Sequence, residues 1–429
     1  MGDLTATPAF YQDAPEKRLA VCLFNRATYG RCKELIHELS IYPNFKITLV
    51  VGSALLWDDY GKAVDHIEKE HPGVRIQRIE TERSDGTHAG MGAQAGALLS
   101  QLSRFFSANT FDAVVVVADR YETLPAATAA NYHNLPVVHL QGGEVTGNID
   151  DRVRNAVTKL ADLHFVATDL CKEYVLAMGE ERERVFKTGC PSIDVLKRNR
   201  VTRYTPKEKY ILSIFHPETE NSEKAFEQTR IVMEAVLEYC AEHQFRCHWF
   251  YPNPDPGREE IVRYLDLAVK ENPALVMKAI NKPPVEFLKQ LAGARLIVGN
   301  SSCGIRESAW LGLPAVNVGE RQKMRERAYN VVSTDYDRAE ILAALKYQHT
   351  MQKYPRSQLF GDGRASRWIA QYLQRIQFSL KGPLTYPLQP RFKEQHFGPD
   401  RTRSHTQRRN PPGTRAAGSH DHEHQPQAG

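Results

Sequence analysis

One pattern restricts this chain more than any other. From Lys17 onward, short and nearly continuous apolar runs alternate with segments whose apolar residues recur at helical spacing. The runs "LAVCLF", "FKITLVVGS", "VRIQRIE", "DAVVVVAD", "LPVVHL" and "LHFVAT" read as strands, separated by stretches such as "YGRCKELIHELS" and "GAQAGALLSQLSRFF". A strand that is apolar on both faces has to be covered on both, which a parallel sheet flanked by helices achieves. The alternation pauses at the polar, Pro-containing "LKRNRVTRYTPKEK" and resumes with "YILSIFHP", "FRCHWFYPN", "ALVMKAI", "ARLIVGNSS" and "LPAVNVG".

At 429 residues the chain exceeds what one hydrophobic core supports. The expectation is therefore an α/β protein of two Rossmann-like domains, residues 1–200 and 201–361, with a functional cleft between them at the C-terminal strand ends. The amphipathic "GRASRWIAQYLQRIQ", about residues 362–377, is expected to form a helix that crosses back onto the first domain. Residues 382–429 are rich in Pro, Gln, Arg and Gly and poor in large apolar side chains, so they are expected to be disordered. The "HDHEH" within them could catch a metal adventitiously, but no functional metal site is expected.

Charge bears on partners. The chain carries a net +5, and from Lys381 onward eight Lys/Arg stand against four Asp/Glu, so +4 belongs to the tail and +1 to the body. No nucleic-acid footprint is expected on a body so nearly neutral. No uncharged apolar run approaches a membrane span, so no membrane association is expected. The N-terminus lacks the layout of a signal peptide, and the seven cysteines are scattered without a C-x-x-C pair. Both features suit a cytoplasmic protein without a disulfide framework or zinc site.

The loops after the strands carry the chemistry, because ligands of open parallel sheets bind at those ends. "NRATYG" places Arg26 before a helix start, where it meets an anion or simply decorates a turn. In "ADRYE", Asp119 follows four valines with Arg120 beside it; it is either desolvated and tuned for proton transfer or a helix cap. "HLQGGEVTGNIDDR" follows the next strand. Gly142 and Gly143 allow a sharp turn and close approach to a ligand, which brings Glu144 toward the cleft. Asp150 and Asp151 suit the positive end of the next helix, and Asp150 can pair with Arg154 one turn on. In the second half His216 ends a strand. In "GNSSCGIRE", small residues from Gly299 to Gly304, with Ser301 and Ser302 among them, offer backbone N–H groups and hydroxyls to a diphosphate. Glu307 could accept ribose hydroxyls, and "GERQKMRER" adds a cationic loop beginning at Arg321. Neither a P-loop nor G-x-G-x-x-G after the first strand occurs, which argues against ATP and NAD.

Taken together and in order, "NRATY", "DDYG", "ADRYE", "GGEVTGNIDDRVRNAVTKLA", "TGCPSIDVL", "HPETE", "YPNPDPG", "GNSSCGIRE", "VGERQ" and "LFGDG" closely resemble the hydrolysing UDP-N-acetylglucosamine 2-epimerases. The likeness runs from about Leu19 to Leu373. It implies a glycosyltransferase-B-type fold closing over a UDP-sugar, without cofactor or catalytic metal, in a homo-oligomer (dimer or tetramer). It further implies elimination of UDP to 2-acetamidoglucal, then hydration to N-acetylmannosamine. Carried over residue by residue, Arg26, Arg120, Ser301, Ser302, Glu307 and Arg321, with Gly304 in the same loop, hold the substrate. Asp119, Glu144 and Asp151 serve as acid/base groups, and His216 assists the leaving group. Gln141 departs from members that have glutamate there: it can hydrogen-bond a sugar but cannot deprotonate it. A UDP-diacetamido-trideoxy sugar as substrate, a glycosyltransferase of the same fold, and a UDP-sugar-binding protein without turnover remain alternatives.

Overall fold

The apolar runs become parallel strands. The computed structural model describes residues 14–58, 61–117, 120–201, 206, 208–279 and 282–382. Its first half runs β1 (Lys17–Leu23), α1 (Arg26–Ser40), β2 (Phe45–Gly52), α2 (Ala63–Glu70), β3 (Arg75–Ile79), α3 (His88–Ala108) and β4 (Ala113–Val117). There follow α4 (Thr123–Tyr132), β5 (Val137–Leu140), α5 (Ile149–Leu160), β6 (Leu163–Val166), α6 (Asp169–Ala177), β7 (Val185–Lys187) and α7 (Pro191–Arg198). The second half runs β8 (Tyr210–Ile214), α8 (Ala225–His243), β9 (Arg246–Phe250), α9 (Arg258–Glu271), β10 (Val276–Ala279) and α10 (Pro284–Gly293). It ends with β11 (Ile297–Gly299), α11 (Arg306–Leu311), β12 (Ala315–Val318), β13 (Val331–Thr334), α12 (Arg338–Thr350) and α13 (Ala365–Arg375).

The first sheet has the order β3-β2-β1-β4-β5-β6-β7 and the second β10-β9-β8-β11-β12-β13, every pairing parallel. Both are Rossmann-like, so the expected two-domain α/β fold is present. Two strands have no counterpart among the apolar runs. β7 ("VFK") and β13 ("VVST") are short, lie at sheet edges and are only partly buried, so they carry no strong apolar signal.

Alternate side chains of one strand serve two cores. Leu19, Val21 and Leu23 of β1 pack with Leu35, Leu39 and Leu373, whereas Ala20, Cys22 and Phe24 pack with Leu98, Leu102 and Ala126 on the other face. The second sheet divides likewise, with Leu212 and Ile214 on one side and Ile211 and Phe215 on the other. Double-sided burial explains why the strands read as continuous apolar runs rather than alternating ones. The seven cysteines are all buried and free.

The helix α13 returns to the first domain, where Ile369, Ala370 and Leu373 join the core beneath α1. Both its ends are held by distant residues. The Asp194 carboxylate on α7 accepts from Ala365 N (3.0 Å) and Ser366 N (2.5 Å), an N-cap supplied from another element. At the other end the Lys17 ammonium donates to the carbonyls of Leu373, Gln374 and Ile376 at 2.7, 2.7 and 2.8 Å. The tail expected to be disordered lies, from residue 383, outside the described residues.

Each sheet has one point at which the chain order reverses, between β1 and β4 and between β8 and β11. Strand ends at such reversals diverge and leave a crevice. The loops after β1, β4, β8 and β11 are the ones that carry Arg26, Arg120, His216 and Ser301.

Candidate active site

A cavity of about 370 Å³ lies between the domains at these strand ends, within the range of small-molecule sites, roughly 300–1,000 Å³. Its first-domain wall includes Arg26, Arg31, Arg120 and Asp150; its second-domain wall includes His216, Ser301, Ser302, Glu307 and Arg321. Phe250, Phe287 and Pro284 form an apolar portion. Among the described residues, Arg26, Arg31, Arg120, Lys282, Arg306, Arg321 and Arg325 line it against only Asp150 and Glu307. A lining so weighted toward cations is built for an anion, and the guanidinium forks suit phosphate oxygens.

Arg26 opens α1, whose N-cap Asn25 accepts from Thr28 N while Thr28 Oγ1 accepts from Asn25 N. That reciprocal box fixes where the helix, and so Arg26, begins. Arg120 is buried between carboxylates of both domains: it donates to Asp255 of the second, and its Nε lies 3.4 Å from Glu122 Oε2 of the first. His216 is clamped through its backbone, its N–H donating to Asn300 Oδ1 (2.7 Å) and its carbonyl accepting from Asn300 Nδ2 (2.8 Å). Its Nδ1 accepts from Asn253 N (3.1 Å), which assigns the ring proton to Nε2. Burial, then Arg321, Arg120 and Arg26, hold the imidazole pKa well below its usual value. In this form the ring can donate a hydrogen bond from Nε2.

In the loop after β11 the N–H of Gly304 donates to Ser301 O (3.0 Å) and that of Ile305 to Ser302 O (3.1 Å). Those two amides are consumed within the turn, while Ser301, Ser302 and Cys303 line the cavity beside the arginines. Gly304, expected in the same ligand-binding loop, is not among the residues lining this cavity and packs toward Ile297. Glu307 does line it; the residue is buried, and Oε2 has no hydrogen-bond partner among the described residues.

The stretch "HLQGGEVTGNIDDR" is corrected in four respects. Gln141 does not line the cavity: it has φ +65 and its amide donates to Cys190 Sγ, facing the start of α7 rather than a sugar. The glycines serve packing rather than ligand approach. A Cβ on Gly143 (φ +76) would meet Cys171 O at 2.1 Å, and one on Gly142 would meet His139 Nδ1 at 3.0 Å. Glu144 does not line the cavity either; its Oε2 accepts from Arg306 Nη2 (2.5 Å) and from Arg325 Nη1. Burial pushes its pKa up, but Arg306, Arg325 and Arg154 outweigh this and hold it at about 2. A carboxylate so placed is a poor proton acceptor.

The fourth correction concerns the aspartates. Asp151, expected to transfer protons, accepts from Thr146 N (2.8 Å), Thr146 Oγ1 (2.7 Å) and Gly147 N (2.7 Å). It also pairs with Arg154. Its neighbour Asp150 lines the cavity, with Oδ2 4.0 Å from Arg321 Nη2. A one-residue step along a helix start, about 100° of rotation, separates the structural carboxylate from the one that faces the cleft. Asp119 lies outside the described residues. Sequence reasoning passed over Arg31, inside α1, over Arg306, the first residue of α11, and over Asp255. Among the described residues no cluster of three His, Cys, Asp or Glu could hold a metal ion, and no helix is long and apolar enough to cross a membrane.

Comparison with known proteins now adds to the geometry. The family model for UDP-N-acetylglucosamine 2-epimerase matches residues 37–374. The chain belongs to this family. Among curated relatives, the UDP-N,N'-diacetylbacillosamine 2-epimerase (hydrolyzing) of Legionella pneumophila is 33% identical over 364 residues, covering 82% of this chain and 94% of the relative. The UDP-N-acetylglucosamine 2-epimerase of Neisseria meningitidis serogroup B is 29% identical over 363 residues, covering 82% and 93%. In fold the chain is similar to the UDP-GlcNAc 2-epimerase of Methanocaldococcus jannaschii crystallised with UDP-GlcNAc and UDP. That likeness has a TM-score of 0.69 at 17% identity, covering 83% of this chain and 99% of that one. Membership in the epimerase family agrees with the paired Rossmann-like sheets and the cleft between them.

Proposed function

We propose that this epimerase-family member hydrolyses a UDP-sugar with inversion at C2, converting UDP-N-acetylglucosamine and water to UDP and N-acetylmannosamine. One observation carries the reading. A buried acceptor with no partner among the described residues, Glu307 Oε2, lies in a cavity whose charged lining is mostly arginine and which Phe250 and Phe287 bound. That combination suits a ribose hydroxyl, a diphosphate and a base.

In the first step the C1–O bond to UDP breaks and its electron pair leaves with the diphosphate. The C2 proton passes to a carboxylate, giving the C1=C2 glycal. Arg26, Arg120 and Arg321 meet the charge that develops on the leaving group, and His216 donates a hydrogen bond from Nε2 without giving up its proton. Asp150, a cavity-lining carboxylate beside Arg321, is the first candidate for this base; Asp119, next to the cavity-lining Arg120, is the second. Water then adds, hydroxyl to C1 and proton to C2 from the opposite face, so two acid/base groups serve two faces.

A second reading is favoured by the 33% identity to the Legionella enzyme: a UDP-2,4-diacetamido-2,4,6-trideoxy sugar as substrate. NMR of either UDP-sugar with the protein in deuterated water tests both. Free sugar inverted at C2 and deuterated there, together with UDP, is expected from one of them. An unchanged spectrum with both substrates refutes the proposal, and retention at C2 with transfer to an added acceptor makes the protein a glycosyltransferase.

A further inference from the structure

We propose that Glu144 is a positioning residue, the pin on which the two domains interlock, and that the interlock sets Asp150 against Arg321. This rests on the epimerase reading for its catalytic consequence, but not for its geometry.

The links form a closed set. Glu144 belongs to the first domain, and both groups that donate to its Oε2, Arg306 Nη2 and Arg325 Nη1, belong to the second. All three side chains are nearly inaccessible, at 3% exposure for Glu144, 1% for Arg306 and 3% for Arg325. The Glu144 carbonyl accepts from Arg154, which also holds Asp151, and Asp151 fixes Thr146 and Gly147. The same loop reaches the second domain twice more, since Thr146 O accepts from Met324 N (3.3 Å) and Asn148 Nδ2 donates to Arg321 O (3.1 Å). Asp150 is two residues beyond Asn148, so the Glu144 contacts and the Asp150–Arg321 approach belong to one rigid connection.

The charge arithmetic gives Glu144 its weight. Without its carboxylate, Arg306 and Arg325 are two buried cations turned toward a neutral group, an arrangement that costs far more than the pair contributes. Closure of the cleft then loses its counter-charge, and the loop bearing Asp150 loses its register with Arg321. A proton-transfer group in the same position would show neither effect.

The test uses the full chain and compares wild type with Glu144→Gln, Arg325→Glu and the double variant Glu144→Gln/Arg325→Gln, each confirmed as folded by circular dichroism. Small-angle X-ray scattering without ligand reads closure; calorimetry with UDP and kinetics read its consequence. Glu144→Gln is expected to show a larger radius of gyration, UDP binding weaker by about tenfold and kcat/KM lower by about a hundredfold, with the shape of the pH–rate profile retained. Arg325→Glu, which places a carboxylate beside Glu144, should expand the protein too. The double variant should return most of the way to the wild-type radius, because one stranded buried charge is gone. Scattering of Glu144→Gln identical to wild type overturns the proposal. So does unchanged UDP affinity with turnover lost and one limb missing from the pH profile, which would make Glu144 the proton-transfer group. A wild type that binds no UDP defeats the epimerase reading instead, and the ligand-free scattering still decides the interlock.

Discussion

The two aspartates that open α5 should respond in opposite ways to the same substitution. Asp151→Asn leaves one acceptor oxygen toward Thr146, sets an amide N–H₂ against the N–H of Gly147, and removes the counter-charge of Arg154, whose side chain is fully buried. Breaking a buried pair from one side costs about 3–5 kcal/mol. Asp151 is 22% exposed and Arg154 keeps the carbonyl of Glu144 as an acceptor. The lower end is therefore expected, about 3 kcal/mol, a fall in Tm of roughly 6–12 °C for a domain of this size. Asp150→Asn leaves the bonds of Asp151 to Thr146, Gly147 and Arg154 in place, so its Tm should fall by less than that of Asp151→Asn. It should, however, cut kcat by about 10²–10⁴, the usual worth of a positioned acid/base group. Differential scanning fluorimetry and a continuous assay for released UDP measure the two effects separately. The pH dependence supplies a sign. Burial raises the Asp151 pKa, but the bonds from Thr146 and Gly147 and the charge of Arg154 outweigh it, leaving the folded value below the unfolded one. Its stabilisation is then present above the ordinary carboxylate pKa and is lost as pH falls through the depressed value, a slope that Asp151→Asn should flatten. Full turnover in Asp150→Asn, or an Asp151→Asn variant that melts like wild type, would refute the assignment.

Three further outcomes follow from the same contacts. Gly143→Ala should destabilise by about 3 kcal/mol, because the residue has φ +76 and the new methyl meets Cys171 O. Gly96→Ala on the exposed face of α3, where nothing lies within 4 Å, should instead stabilise by about 0.5–1 kcal/mol; thermal melts of equal sign for the two would contradict this. His216→Gln, which keeps an N–H donor, should lose about tenfold in kcat and His216→Ala about a hundredfold, both with the wild-type pH profile; a limb that disappears in either variant would show that the ring titrates. For Glu180, burial raises the pKa but hydrogen bonds from His164, Lys159 and Lys381 hold it at about 2. Its stabilisation should be complete above about pH 4.5 and fade toward pH 2, so urea unfolding of Glu180→Gln should be less acid-sensitive than wild type over that interval.

Much of the architecture was legible because double-sided burial writes itself into composition. Runs such as "AVVVV" cannot sit at a half-solvated position, and the loops that follow them can only lie at the strand ends. The edge strands β7 and β13 escaped because three or four partly buried residues leave no such mark. Arg26, Arg120, His216, Ser301, Ser302, Glu307 and Arg321 line one cavity; their place after strands pointed to the cleft, and the family resemblance pointed to a shared ligand there. Gln141, Gly304, Glu144 and Asp151 share those loops but do not line the cavity: Gln141 and Glu144 turn to distant partners, Cys190 and the Arg306–Arg325 pair, while Asp151 bonds within its own loop and helix start.

The amino-acid sequence by itself determined the two parallel sheets and which loops meet at the cleft, since both depend on local period and on the direction of a parallel strand. Only the tertiary structure decided which of two adjacent aspartates lines the cavity, and that Glu144 meets Arg306 and Arg325, 162 and 181 positions away. Helical spacing says that a face is polar but not what stands opposite it. In this protein that second fact separates a carboxylate that lines the cleft, Asp150, from a buried counter-ion, Glu144.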